Sequence, residues 1–205
     1  MSNKKHLKNK LSKAAFKKSW WRIYLASRSE RRKELLKKAR IPFRIAPSNF
    51  KERTFPGGPA RTVVVNAVGK VKCAEVRAKR GIVLGADTIV YFKKQILGKP
   101  RDKKEALKML LSLSGSEHSV YTGIALFDLA SKIWKKAYVK SKVKMRKYSA
   151  DDVCYYISKV NPLDKAGAYA IQDYGDKLVE KIKGSYTNVV GLPMEKLKSL
   201  LNHFI

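Results

Sequence analysis

Gly85-Ala86-Asp87-Thr88 closes the apolar run Ile82-Val83-Leu84 and sets one carboxylate at the end of a buried strand. Positions beyond the carboxyl ends of strands are where open α/β sheets bind ligands. Around that acid lies a 205-residue chain of formal net charge +30, and cations gathered about one carboxylate suit a polyanionic substrate with a metal. A carboxylate is ionised at neutral pH but too weak a base to deprotonate free water efficiently, so a base at Asp87 needs help. A divalent cation supplies it by acidifying the attacking water and screening phosphates. The other reading of Asp87 is an ordinary cap on the turn after a strand.

Ser27-Arg28-Ser29-Glu30-Arg31-Arg32 bridges a first strand and a first helix, so backbone N–H groups and hydroxyls surround a helix N-terminus, which attracts anions. Two arginines in the first turn oppose the helix dipole, a conflict that a bound phosphate would relieve and that Glu30 and Glu34 offset in part without one. Gly98-Lys99-Pro100 holds a lysine between a glycine and a φ-restricting proline, where its ammonium can face the same site. Asp164 to Gln172 mixes small, charged and aromatic residues unlike a regular element, and Gln172 can donate and accept together, as reading a nucleobase edge requires. Gly184 to Pro193 joins hydroxyls and an amide to a β-branched pair; its Tyr186 either stacks on a base or plugs the core.

The elements that must position these residues alternate as in an α/β domain. Arg22 to Ala26 reads as a strand, Glu30 to Arg40 as a helix with Leu35 and Leu36 inward, and Phe43 to Ala46 as a short strand. A loop containing Pro47, Pro56, Gly57, Gly58 and Pro59 forms a rim or lid, and Val63 to Ala78 has helical character. Ile82 to Phe92 is a strand, Lys93-Lys94 a turn, a short strand reaches Leu97, and a helix runs from Asp102 to Leu113. Val120 to Asp128 and Ile133 to Arg146 form a long hairpin. Its second strand alternates Val139, Val143 and Met145 with Lys140, Lys142, Lys144 and Arg146, the pattern of a half-buried strand with a solvated basic face. Ser149 and Asp152 cap a helix ending before Pro162, and a last helix follows Pro193 with Leu197, Leu200, Leu201 and Phe204 inward.

Residues 1 to 20 form a basic extension, a tail or short amphipathic helix, ahead of a single domain over 21–205. No apolar run of about 18 residues spans a bilayer and the start lacks a secretory pattern, so the expectation is a soluble, cytoplasmic protein without membrane contact. Cys73 and Cys154 are isolated, which excludes a zinc cluster or disulfide framework. The positive field adds a nonspecific attraction for nucleic acid, and charge speaks to association and not to fold. A nucleic-acid-binding protein on a catalytically degenerate scaffold is the alternative reading of another class, and no RNA-recognition, zinc-finger or helix-turn-helix signature supports it.

In their order, Leu25 to Arg32, Leu84 to Thr88, Leu97 to Pro100, Asp164 to Gln172 and Gly184 to Pro193 resemble the motifs of the Maf family of nucleotide pyrophosphatases, known historically as septum-formation inhibitors. The likeness runs from Ile23 to Phe204. It implies an α/β fold of the inosine-triphosphatase-like kind, an elongated mixed sheet flanked by helices with a central cleft. It implies hydrolysis of nucleoside triphosphates to monophosphate and pyrophosphate, with Asp87 as proton acceptor. Ser27, Arg31, Arg32, Lys70 and Lys99 would surround the phosphates, and a divalent cation, Mg or Mn, would sit on Asp87 and Glu52. Arg31, Thr88 and Gln172 match the branch acting on dTTP and UTP. A homodimer is among the assemblies it allows; a purine or modified-base triphosphate is the alternative substrate. Three departures stand out: Glu30 where the family has Pro, Lys51 in an Asp-Glu pair that keeps Glu52, and Asn66 in place of Leu.

Overall fold

The structure, a computed structural model, describes residues 22–204; the basic extension at 1–20 lies outside the described residues. Seven strands form one mixed sheet: β1 (Ile23–Leu25), β2 (Phe43–Ile45), β3 (Ile82–Phe92), β4 (Gln95–Leu97), β5 (Glu117–Asp128), β6 (Trp134–Met145) and β7 (Val179–Lys183), in the order β2-β1-β3-β5-β6-β7 with β4 on β3. β2, β1 and β3 run parallel, and every other pairing is antiparallel. The helices are α1 (Glu30–Lys38), α2 (Pro59–Lys72), α3 (Lys103–Leu113), α4 (Ala150–Lys159), α5 (Gly175–Leu178), α6 (Tyr186–Val190) and α7 (Met194–Leu201).

Because side chains alternate along a strand, β3 serves two cores at once. Ile82, Leu84 and Ala86 pack with α1 and α7 through Leu36, Leu197 and Leu201. Val83 packs on the opposite face against Ala67 and Val71 of α2, and Ile89 against its Val63. A further core gathers Leu110, Leu113, Val143, Met145 and Tyr156 under α3 and α4. Gly85 and Gly123 let α2 lie close on the sheet: a Cβ on either would meet the backbone carbonyl of Ala67 or Val63.

The expected strand Ile82 to Phe92 is observed, as is the turn after it, where Lys93 and Lys94 both take positive φ, the handedness a tight hairpin needs. Asp102 and Ser149 cap α3 and α4, the latter in a full capping box with Asp152. Four readings are corrected. Asp87 stands in the middle of β3, paired with Gly123, and not at a strand end, because β5 carries the strand on past it. α2 begins at Pro59, a residue suited to the first helical position, and ends at Lys72, because Ser48 bridges Ala74 and pulls the chain out of the helix. β5 starts at Glu117 instead of Val120, since pairing with Lys144 extends it. The stretch after Gln172, given no element by pattern, forms α5 and the edge strand β7, and Tyr186 to Val190 is helical.

Candidate active site

The cleft originates in the pairing of β3. On one edge β5 covers Ile82 to Tyr91, but on the other β1 stops opposite Leu84 and β4 begins only at Val90. Ile82 donates its N–H to Arg22, and Leu84 accepts from Ala26, both toward β1. By the two-residue repeat, Ala86 and Thr88 direct their N–H and C=O into the gap. The resulting cleft, of about 590 Å³, is lined by Ser27, Arg31, Glu52, Lys99 and Gln172 as well as by Asp87 and Thr88. That volume suits a nucleotide-sized ligand.

Asp87 points to the α2 side and is buried at 3% exposure. Its Oδ1 accepts from Lys70 Nζ at 2.6 Å and its Oδ2 from Asn66 Nδ2 at 2.9 Å, so both oxygens are oriented. Asn66 and Lys70 are one helical turn apart, which brings them to the same face of α2. Asn66 also accepts from the Arg53 N–H at 2.9 Å and donates to its carbonyl at 3.0 Å, tying the preceding loop to the carboxylate. That loop carries Glu52, whose Oε1 lies 2.7 Å from the same Lys70 ammonium. Burial acts to raise the Glu52 pKa, but the charge and hydrogen bond of Lys70, with Lys99 and Arg32 beyond, outweigh it and hold the carboxyl below its ordinary value. Glu52 and Asp87 thus share one cation at 2.7 and 2.6 Å. Their hard oxygen donors fit a Mg-type ion, which takes one or two carboxylates and completes its shell with water and substrate phosphate. No group of three or more His, Cys, Asp or Glu is placed to hold a metal among the described residues, so substrate oxygens would have to complete it.

Thr88 points to the other side. Arg32 braces this wall: Nε donates to the Gly191 carbonyl at 2.9 Å, one terminal nitrogen to Ser27 Oγ at 3.1 Å and the other to Thr88 Oγ1 at 3.2 Å. Burial lowers the Arg32 pKa, opposed by Asp87 and Glu52. Thr122, fully buried, donates to the Asn188 carbonyl at 2.9 Å and lies 3.0 Å from the Thr88 hydroxyl. A threonine has one proton to give. With that of Thr122 committed to Asn188, Thr88 donates to Thr122 or to Gly191 at 3.4 Å and accepts from Arg32. The Thr88 hydroxyl is thereby fixed between Arg32, Thr122 and Gly191 at the cleft wall.

Arg31 reaches across the opening, 3.3 Å from Asp164 Oδ2 and 3.3 Å from its carbonyl oxygen. Asp164 is also held by Lys165 at 2.7 Å. Gln172 Oε1 is buried without a hydrogen-bond partner, and Lys99 stands exposed at the rim on the Gly98 loop, which accepts from the Gly167 N–H at 3.0 Å. Glu30 is tied to Lys33 at 2.6 Å, which draws its carboxylate to its own helix. All eight expected residues and Glu52 thus line one cleft. Pattern reading did not assign roles to Asn66, Thr122 and Asp164. The spacing of Asn66 to Lys70 was the available signal for the first; the second is visible only in strand register.

A cleft floored by a buried carboxylate and walled by arginines and lysines, in the gap of a mixed sheet, defines an α/β protein built to hold a polyanion. The fold is similar to that of the Staphylococcus aureus Ham1 protein, with a TM-score of 0.52 at 14% identity, covering 90% of this chain and 100% of that one. The Maf-like protein family matches residues 22–204, and the chain belongs to that family. Relatives named dTTP/UTP pyrophosphatase include one from Clostridium tetani, 48% identical over 86% of this chain and 94% of its own, and one from Gloeobacter violaceus, 45% identical over 89% and 96%. No helix among the described residues is long and apolar enough to cross a membrane.

Proposed function

We propose that this chain is a nucleoside triphosphate pyrophosphatase that hydrolyses dTTP and UTP to the monophosphate and pyrophosphate. The observation that carries it is the buried Asp87 carboxylate, oriented through both oxygens and set in a cation-walled cleft, in a chain nearly half identical to relatives of that name. Water attacks the α-phosphorus, a new P–O bond forms, and the bond to the bridging oxygen of the β-phosphate breaks. Asp87 takes the water proton, and pyrophosphate leaves with the electron pair. Lys70, Lys99 and Arg31 stabilise charge that grows on the leaving group, the main work in phosphoryl chemistry. Asp87 and Glu52 would hold a divalent cation, which when bound acidifies water and screens the phosphates.

Ser27 and the N-terminus of α1 bind phosphate oxygens through hydroxyl and backbone N–H groups. On the opposite wall, the unpartnered amide oxygen of Gln172 accepts from the imide N–H of thymine or uracil, a donor that cytosine lacks, and Thr88 flanks the base. A pyrophosphate-release screen over common and modified nucleoside triphosphates, with added Mg or Mn, tests the reading. Release of orthophosphate from UTP would overturn the bond choice, and turnover confined to purine triphosphates would overturn the base choice.

A further inference from the structure

On the side of the sheet covered by α2, a second surface is built from β5, β6 and β7. Register places Lys140 opposite Tyr121, Lys142 opposite Ser119 and Tyr138 opposite Gly123, all on the same face. Lys142 and Lys144 in turn face Lys183 and Lys181 of β7. The pattern of β6 alone is that of a solvated strand; β7 turns it into a two-strand basic field. Two like-charge pairs directly opposite each other oppose sheet formation, and Glu117, opposite Lys144 in register, pairs with Lys142 at 2.8 Å. An anionic ligand offsets the remaining repulsion.

The field is interleaved with aromatic rings. Tyr138 is 51% exposed and lies 6.2 Å from Tyr121 at an interplanar angle of 31°. Lys140 Nζ stands 5.5 Å from the centroid of Tyr121, and Tyr91 meets that ring edge-on at 6.1 Å. Alternate lysines on one strand are about 6.8 Å apart, twice the rise per residue, so they track a chain that carries regularly spaced phosphates. A flat face with an open ring beside lysines is the combination that holds unstacked bases and their backbone. A second copy of this chain would bring like charge against like charge.

We propose that the β5–β6–β7 face binds single-stranded nucleic acid, with the lysines on the phosphates and Tyr138 stacked on a base. This surface is separate from the nucleotide cleft and does not rest on the pyrophosphatase reading. Binding carries no base specificity, because the lysines contact phosphate and every base has a stacking face.

The test is fluorescence anisotropy of the full chain with a labelled oligouridylate about 20 nucleotides long, titrated at several salt concentrations. The wild type binds below micromolar at low salt and weakens steeply as salt rises. Lys140→Glu/Lys142→Glu/Lys183→Glu should weaken binding at least tenfold and flatten the log–log salt slope by about 2, the loss of three phosphate contacts. Tyr138→Ala should weaken it several-fold with the slope unchanged. The circular dichroism spectrum and UTP turnover, measured in parallel, should stay at wild-type values, which separates lost binding from lost folding. Unchanged affinity and slope in the triple variant would overturn the proposal. Loss of binding to phosphatidylserine vesicles with oligouridylate binding intact would overturn it in favour of a membrane.

Discussion

Asp87 and Thr88 are neighbours in sequence and face opposite walls of the cleft, and the two walls are made of different chemistry. Around Asp87 the partners are charged or strongly polar: Lys70, Glu52 and Asn66 exchange short bonds on α2 and the loop before it. Around Thr88 they are hydroxyls and carbonyls from Thr122, Asn188 and Gly191, braced by the one guanidinium of Arg32. A wall of exchangeable charge suits proton transfer and leaving-group stabilisation. A wall of fixed polar groups with the unpartnered Gln172 oxygen beside it suits recognition, because a site built to hydrogen-bond a ligand rejects one that lacks the matching donor. On the proposed function, the alternation of a single strand separates turnover from selectivity by one residue.

Perturbing each wall should therefore give a different kinetic signature. The largest effect is expected from Asp87→Asn, which keeps the hydrogen bonds' approximate shape and removes the base; kcat should fall by about 10² to 10⁴ with the circular dichroism spectrum unchanged. Near-normal turnover would remove Asp87 from the chemistry. Thr88→Val should leave kcat for other triphosphates in place while lowering the preference for UTP over CTP by about 10- to 100-fold, the cost of one missing buried hydrogen bond; competition assays read the ratio directly. Smaller still, Asn66→Leu should reduce kcat roughly tenfold at similar KM, since one Asp87 oxygen and the Arg53 loop lose their tether. A change in base preference instead would mean that the walls are coupled.

A site away from both walls gives the control. Burial lowers the His118 pKa from 6.5 to about 4, and the ring is paired with Tyr169 at 2.7 Å. The unfolded chain therefore takes up a proton below about pH 6.5 that the folded chain refuses. Stability should fall as pH drops from 6.5 to 4, by about 3 kcal/mol in all. At neutral pH the effect vanishes. Denaturant midpoints measured across that range should flatten in His118→Phe, and a midpoint that rises on acidification in the wild type would contradict the buried neutral ring.

Much of this was legible from local pattern. The apolar run Ile82-Val83-Leu84 predicted the start of β3, though Asp87 falls in its middle and not at its end, and Ser149 with Asp152 predicted the start of α4, because both signals sit within a few residues of what they specify. α2 was misplaced since its β-branched run obscured Pro59 as a start, and its end depends on a bridge between Ser48 and Ala74, far apart in sequence. β7 carries Glu180, Lys181 and Lys183 among its five residues, so only pairing with β6 makes it a strand. Asn66 reads as a polar interruption of an apolar helix until Asp87 is brought within 2.9 Å of it.

Composition, periodicity and motif order by themselves determined the alternating α/β plan and the residue types of a phosphate-handling site, because those depend on neighbours a turn or a strand length away. Tertiary structure decided the rest. The gap between β1 and β4 opens the cleft, the two glycines bring α2 close enough for Lys70 to bridge Asp87 and Glu52, and strand register commits the Thr122 proton to Asn188 and makes Thr88 the donor in their contact. Each of these is a pairing between distant segments, and such pairings are set by how whole elements pack, which no local stretch of sequence contains.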